Sequence, residues 1–541
     1  MLFPPEQRPG RQSPQTSVIP VAEAAGQALA ALGVRTVFAA AADDCPLVPA
    51  LTTHGLNVVD ARRPGAATTM AEAHTRTGGQ PAVLAVPQGS ALISTIPGLV
   101  EAARSRTPLL VLAAETCDGL GVARQAALLT AAGTLIEPVT DPAEMASVIA
   151  WALHATRVQR RPLVLTFGRQ VLAASCPRPP DDLLASLGDL HTPDPPPPDA
   201  GTISSLAHLL TTVSRPVFIA GRGALHAGRE LEELAERTGA LLATSTAAHG
   251  LFADDRWNLG VAGDWSAPAV AELVRDADVL IGWGCSMREW TTRRGDLVGS
   301  DARVVQVDLN QAVGAQGGID VSVAGDVAVT ARALLCELAE PRTGYRTDEV
   351  RRRIIEQGNQ HDADYQPVHV EGHIDPWTLA YLLEALLPQE RTLVVDRGDF
   401  MRYPISLMRV PDAHGFWYSQ LIEEAGRALA AGIGAALARP ERLAVAVLGY
   451  RGVLRAAADL ETAVRLGLSL LIVVYNTGDD RPSGSVDLAA VAAGYGCAAS
   501  VVRQGRDLKA VSDWLAGPRQ GPLLIDARIA SARPGSASEE A

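Results

Sequence analysis

The sequence predicts an α/β protein built from three doubly wound parallel-sheet domains. Three observations carry that prediction: a length of 541 residues, a repeated alternation of short β-branched apolar runs with longer Ala/Leu-rich amphipathic stretches, and two breaks that cut the chain into segments of similar size. A single hydrophobic core does not grow to this length; at roughly 150 residues per domain the chain holds about three. Hydrophobic residues make up 47% and charged residues 20%, the balance of a packed globular protein and not of a disordered one.

The elements follow in order. Residues 1–16 are polar and Pro-rich, lack the apolar core of a signal peptide, and read as a disordered leader. The first domain, 17–175, has apolar runs at 36–38, 57–59, 82–86, 109–112 and 163–166. A linker over 176–200 contains Pro195-Pro-Pro-Pro198, a stretch that forms no regular element. The middle domain, 201–339, has runs at 216–220, 279–281 and 304–307. A second linker, 340–370, is charged and Gln/His-rich, with helical content around 350–357. The last domain, 371–530, has runs at 392–395, 443–448, 470–474 and 523–525, and 531–541 reads as a frayed tail. Continuous apolar runs separated by helical patterns are what parallel strands covered on both faces look like. Ligands in such domains bind at the carboxyl ends of strands, so the residues after each run are the functional candidates.

Composition excludes several function classes. Lys and Arg number 47 against 60 Asp and Glu, a net charge of −13, which disfavours a non-specific nucleic-acid or anionic-membrane binder. Lys509 is the sole lysine, and it lies in a polar stretch after Gln504. A Walker phosphate loop and a pyridoxal Schiff base each need a lysine in a context this one does not offer. The six cysteines are far apart, so neither a disulfide framework nor a structural zinc site is expected, and a reducing cytoplasm is. No uninterrupted apolar run reaches the ~18 residues of a membrane span.

Several stretches, in this order, resemble one family. Gly33-Val-Arg-Thr-Val-Phe38, Met70-Ala-Glu-Ala-His-Thr-Arg76 and residues 97–112 come first. Arg215-Pro-Val-Phe-Ile-Ala-Gly-Arg-Gly223, Asp278-Val-Leu-Ile-Gly-Trp-Gly284 and Val305-Gln-Val-Asp308 follow. Ala431-Gly-Ile-Gly-Ala-Ala-Leu-Ala-Arg-Pro440, Leu460-Glu-Thr-Ala-Val464 and Val473-Val-Tyr-Asn476 close the series. Together they resemble the thiamine-diphosphate-dependent enzymes of the acetolactate synthase type over about residues 17 to 530. The resemblance implies a pyrimidine-binding domain, a middle domain and a diphosphate-binding domain. It also implies thiamine diphosphate and Mg²⁺ as cofactors, a small 2-oxoacid or other anionic metabolite as substrate, and a homodimer or homotetramer, because the family's cofactor lies between two subunits.

The positions that the resemblance assigns to the cofactor carry unusual residues. The family's metal Asp, between two glycines, is Tyr450 in Gly449-Tyr-Arg-Gly452, with Arg451 in place of the second glycine; the metal Asn is retained as Asn476. Mg²⁺ takes hard oxygen ligands, and a neutral phenol with a pKa of about 10 is a poor substitute for a carboxylate. The family's catalytic Glu corresponds to Pro64, which has no side chain for proton transfer. The apolar wedge that bends the cofactor corresponds to Ala425, after Glu423 and Glu424. Gly398, in Asp396-Arg-Gly-Asp399, and Gly89, in Pro87-Gln88-Gly89, fall at further cofactor-contact positions. The turn after the first strand is Ala39-Ala-Ala-Ala42 where relatives have glycines, and the loop after Asn476 is short.

Other constellations are weaker. Gly221-Arg-Gly223 lacks the third glycine of a dinucleotide turn, so FAD is not expected and a plain tight turn is. His249 and His414 read as solvated loop residues, and Asp396 and Asp399 as turn and helix-cap residues. The functional expectation is an acetolactate synthase-like protein of the 2-oxoacid decarboxylase and carboligase class in which ordinary thiamine catalysis is impaired. The alternative is a non-catalytic partner of an active family member, or a repurposed paralogue in which Arg62, Arg63, Arg427 and Arg451 line an anion pocket.

Overall fold

Each of the twelve apolar runs read above is a strand, and all but 57–59 lie inside a parallel sheet. The computed structural model describes residues 17–40, 42–115, 122–189, 195, 197–309, 318–363, 370–419, 424–478 and 486–530. The expected leader and tail lie outside the described residues. The chain forms two compact units, Met1–Glu72 with Pro81–Thr192, and Ala73–Gln80 with Pro193–Ala541.

The first unit contains β1 (Val18–Pro20), β2 (Thr36–Ala40), β3 (Asn57–Ala61), β4 (Ala82–Pro87), β5 (Leu109–Ala114), β6 (Leu135–Val139), β7 (Pro162–Phe167) and β8 (Ser175–Pro177). Its six-stranded sheet runs β3-β2-β4-β5-β7-β6 with every neighbour parallel, and β1 pairs with β8 antiparallel. Both faces of β4 and β5 are buried, which is why these strands read as unbroken apolar runs. Helices Val21–Ala31 and Met145–Gln159 bury Val21, Leu29, Ile149 and Leu153 in one core with Leu112 and Phe167. The segment 176–200 departs from a plain linker. It begins in β8, continues into helix Asp181–Ser186, and places Cys176 and Leu187 in that same core. Pro177 is tolerated because a two-stranded ribbon leaves N–H positions that need no partner.

The second unit holds two sheets. β9 (Pro216–Ala220), β10 (Leu241–Thr244), β11 (Asn258–Val261), β12 (Val279–Trp283), β13 (Arg303–Asp308) and β14 (Val321–Ala324) are ordered β11-β10-β9-β12-β13-β14, all parallel. The segment expected as a second linker folds onto this sheet. Helix Asp348–Ala363 spans the predicted helical stretch, and Tyr345 and Val350 are buried in the core with Leu273 and Leu280.

β15 (Arg391–Val395), β16 (Phe416–Tyr418), β17 (Leu443–Gly449), β18 (Leu470–Asn476), β19 (Ala498–Val502) and β20 (Leu523–Arg528) form the last sheet in the order β16-β15-β17-β18-β20-β19, again all parallel. Helix Arg427–Ala438 lies on it; Gly432 sits so close to Ala446 that an added Cβ would be 3.0 Å from the alanine's own. Among the described residues, no helix is long and apolar enough to cross a membrane.

One polar network anchors the start of β15. Arg391 is buried; its Nε donates to the Arg409 carbonyl at 2.8 Å and its Nη1 to those of Pro388 and Leu387 at 3.2 and 3.3 Å. Its Nη2 pairs with Glu384, whose other oxygen accepts from Arg409 Nε at 2.8 Å. Burial pulls the Arg391 pKa down while Glu384 pushes it back up. Removing one partner of a buried pair leaves an uncompensated charge. Glu384→Ala is therefore expected to lower stability by about 3 kcal/mol in urea unfolding, and Arg391→Met, which removes the buried charge itself, by less.

Candidate functional site

The carboxyl ends of β15, β17, β18 and β20 gather the chemistry of the last domain. Asp396 directly follows β15 and is fully buried. Its Oδ2 accepts from the Gly426 N–H at 2.5 Å, at the start of helix Arg427–Ala438, where a negative charge meets unpaired N–H groups and the helix dipole. Gly426 has φ 96°, a left-handed conformation that glycine adopts without strain. Gly452 presses from the next helix; a Cβ there would stand 2.7 Å from the Asp396 carboxylate. Burial pushes the Asp396 pKa up to about 6, against the lowering effect of backbone N–H groups and of Arg427. Asp396 was expected in a local turn and helix cap; its carboxylate instead meets the start of a helix 30 residues further on, and Asp399 is exposed.

Tyr450 opens helix Tyr450–Ala456 immediately after β17. The residue is buried, and its hydroxyl accepts from the Val486 N–H at 2.8 Å, tying the end of β17 to a segment 36 residues on. Arg451 beside it is exposed. Asn476 ends β18 and is buried, with both ends of its amide engaged: Nδ2 donates to Asp526 Oδ1 at 2.6 Å and Oδ1 accepts from the Gly478 N–H at 2.8 Å. Asp526, on β20, has its pKa raised by burial and pairs with Arg528 at 2.8 Å. Ala425 precedes Gly426 and reaches no further than its single methyl. Among the described residues, no group of three or more His, Cys, Asp and Glu side chains is placed to hold a metal ion.

Gly398 and Gly449 stand beside an aromatic stack. Phe400 lies on Tyr475 with ring centroids 5.6 Å apart and an interplanar angle of 18°, and Tyr475 lies on Tyr403 at 5.8 Å and 8°. Neither Phe400 nor Asp526 was a sequence candidate. Tyr475 was read only as part of Val473-Val-Tyr-Asn476, and Asp526 lies just past the apolar run 523–525.

The remaining candidates are elsewhere. Pro64 is the first residue of helix Pro64–Gly78, where a missing N–H costs nothing, and its carbonyl accepts from Thr68 Oγ1 at 2.8 Å. Two turns on, Glu72 is a buried carboxylate that accepts from Ser105 and Thr107 hydroxyls at 3.0 and 3.1 Å. Gly89, at φ 88°, caps helix Ser90–Ser94 and donates to Gln125 Oε1 at 3.0 Å. The four arginines of the expected anion pocket divide between the units. Arg62 and Arg63 are exposed in the first, and Arg62 is 3.9 Å from Asp60. In the second, Arg427 is buried and 3.5 Å from Glu424. The Gly221-Arg-Gly223 turn packs on the turn after β12, Gly223 N–H donating to the Gly284 carbonyl at 3.0 Å. His249 corrects the expectation of a solvated loop residue. It packs edge-on against Phe416 at 4.9 Å, and desolvation lowers its pKa to about 4.

Three domain patterns match in succession: thiamine pyrophosphate enzyme N-terminal TPP binding domain at residues 19–119, central domain at 203–334 and C-terminal TPP binding domain at 396–527. The chain belongs to the thiamine pyrophosphate enzyme family. The central match spans the whole sheet β9–β14, the N-terminal match takes in β2 to β5 of the first sheet, and β15 ends where the C-terminal TPP binding domain begins. The chain is 29% identical over 555 residues to a probable 2-ketoarginine decarboxylase of Pseudomonas aeruginosa, covering 94% of each. It is 25% identical over 433 residues to the acetolactate synthase large subunit of Parasynechococcus marenigrum, covering 77% of this chain and 68% of that one. A thiamine diphosphate-dependent 4-hydroxybenzoylformate decarboxylase of Rhodococcus jostii RHA1 shares the fold, with a TM-score of 0.76 at 19% identity over 95% of this chain and 100% of the other.

The Asp396 geometry has a pH consequence. A carboxyl whose folded pKa is raised favours folding in its protonated form, so its contribution is fully present below the unfolded value near 4 and is lost as pH rises through about 6. A shift of about two pKa units corresponds to roughly 3 kcal/mol. Asp396→Asn keeps an acceptor for Gly426. It is expected to remove this slope between about pH 4 and 6 and to be more stable than wild type at pH 8, as read from urea midpoints across pH.

Proposed function

We propose that this chain is a paralogue within the 2-oxoacid decarboxylase and carboligase class of thiamine pyrophosphate enzymes, and that its diphosphate end does not take thiamine diphosphate through a metal. The observation that carries this reading is Tyr450. Its buried phenol stands at the strand end where the family places a metal-ligating Asp, and its oxygen is already bonded to the Val486 N–H. Asn476, at the other metal-ligand position, has given its amide oxygen to Gly478 and its NH₂ to Asp526. A divalent cation there would meet one phenol and one engaged amide, a donor set that does not fit Mg²⁺. Pro64 provides no group that could protonate a cofactor ring, and Ala425 provides no bulk to bend one. The chain's own residues occupy the strand ends, and the similarity to a probable 2-ketoarginine decarboxylase supports a small oxoacid as the substrate class. In this reading the chain works as a homodimer or homotetramer, or as the non-catalytic partner of an active family member.

A second reading, an active decarboxylase, draws on the end-to-end similarity to the probable 2-ketoarginine decarboxylase. Calorimetric titration of the purified chain with thiamine diphosphate and Mg²⁺ separates the two. The wild type is expected to show no binding, and Tyr450→Asp, which restores a carboxylate at the end of β17, to gain weak metal-dependent heat. Micromolar, metal-dependent binding by the wild type would establish the second reading instead.

A further inference from the structure

The middle and last sheets lie in one compact unit, and a loop of the middle one plugs into the core of the last. Val261, which ends β11, is buried with Met408, Val410 and Phe416, and Trp265 packs against that core. Ser406 Oγ, on helix Arg402–Leu407, donates to the Trp265 carbonyl at 3.2 Å. The plug in turn holds the short helix Glu289–Thr292. Asp264 N–H donates to the Trp290 carbonyl at 3.0 Å, and Gly263, at φ 105°, lies so near that an added Cβ would collide with the same oxygen. Arg293 Nη2 donates to Ser266 Oγ, the Ser266 carbonyl and the Gly263 carbonyl at 2.9, 3.0 and 3.3 Å. Arg293 and Arg294 have φ of 49° and 53°, a conformation that costs a non-glycine residue energy and persists where its surroundings fix it.

The indole on this fixed backbone faces solvent. Trp290 is 52% exposed, whereas a tryptophan is mostly buried as a rule. Arg397, just past the end of β15, lays its guanidinium over the ring, 5.6 Å from the centroid. Exposed Arg294 and Arg402 are close at hand. Burial raises the pKa of half-buried Asp264, and Arg293, Arg294 and Arg402 pull it down while Asp296 pushes it up. With Arg288, Arg397, Glu289 and Asp399 included, five arginines stand against four carboxylates on these turns. An indole held in place on a rim with a positive balance suits a flat anion. Its ring can stack on the indole or on a guanidinium plane, and its carboxylate can take a fork of N–H donors.

We propose that Trp290 is a specificity-determining platform that selects oxoacids bearing a flat aromatic ring over small aliphatic ones. The platform rests on the oxoacid class in the reading above and not on its cofactor part. Benzoylformate and pyruvate share the 2-oxoacid group and differ in the ring, so they serve as probes. Each is titrated by calorimetry into the full-length chain in EDTA, comparing wild type with Trp290→Ala and Trp290→Phe. Wild type is expected to bind benzoylformate at least roughly tenfold more tightly than pyruvate, a difference of about 1.4 kcal/mol. Trp290→Ala is expected to lose that preference with its pyruvate affinity unchanged, and Trp290→Phe, which keeps a ring, to retain most of it. A folded Trp290→Ala, judged by circular dichroism, with an unaltered preference overturns the platform. If that variant unfolds, Trp290→Gln is held to the same criterion. Pyruvate binding by the wild type with no preference for benzoylformate overturns the platform alone and leaves the oxoacid reading standing, whereas binding of neither probe overturns both.

Discussion

A parallel sheet delivers all its strand ends to one edge, and the polar groups there must be satisfied by something. In a ligand-binding domain that something is partly the ligand. In the last domain of this chain several of those groups meet other residues of the chain. Asp396 meets the N–H groups at the start of helix Arg427–Ala438, Tyr450 takes the N–H of Val486, and Asn476 is shared between Gly478 and Asp526. Each bond ties the end of one strand to a different segment. The helix, the loops and the neighbouring strand ends are positioned by these bonds as much as by the apolar core beneath.

The two kinds of satisfaction differ in energetics. A buried carboxylate whose pKa has risen is not the cheapest way to cap a helix, since desolvation outweighs the N–H groups that it meets. An exposed Ser or Asp cap would do the same for less. Asp396 bears that cost in a fully buried position at the end of β15. The Tyr450 hydroxyl is the converse case. Its oxygen accepts from the Val486 N–H, and its ring adds buried apolar area at the end of β17.

What the sequence revealed follows from this division between core and edge. Eleven of the twelve strands read from apolar runs are interior strands, because only a strand covered on both faces must be apolar at every position. The strands left unread are mostly edges. β6 reads Leu-Ile-Glu-Pro-Val with its Glu and Pro exposed, and β14 reads Val-Ser-Val-Ala with one residue buried. β10 is buried throughout, but its four residues merge with the Ala/Leu-rich helical pattern around them. Likewise β8 and helix Asp181–Ser186, within the segment expected as a linker, depend on tertiary burial of Cys176 and Leu187, which no local pattern announces.

The site shows the same asymmetry at the level of single residues. Tyr450, Pro64 and Ala425 could be singled out in the sequence because each differs in chemistry from the residue that the resemblance leads one to expect there. Their contacts in the fold could not be read that way. Nothing at Val486 announces a donor for a phenol 36 positions earlier, because an N–H is common to every residue but proline. Phe400 is an ordinary apolar residue in sequence, and only the folded chain brings its ring across two glycines that are 51 residues apart (449 − 398). Residue type and spacing are thus legible in the sequence, whereas the ring that comes to lie over Gly398 and Gly449 at the ends of β15 and β17 is a property of packing, set by where the fold brings Phe400.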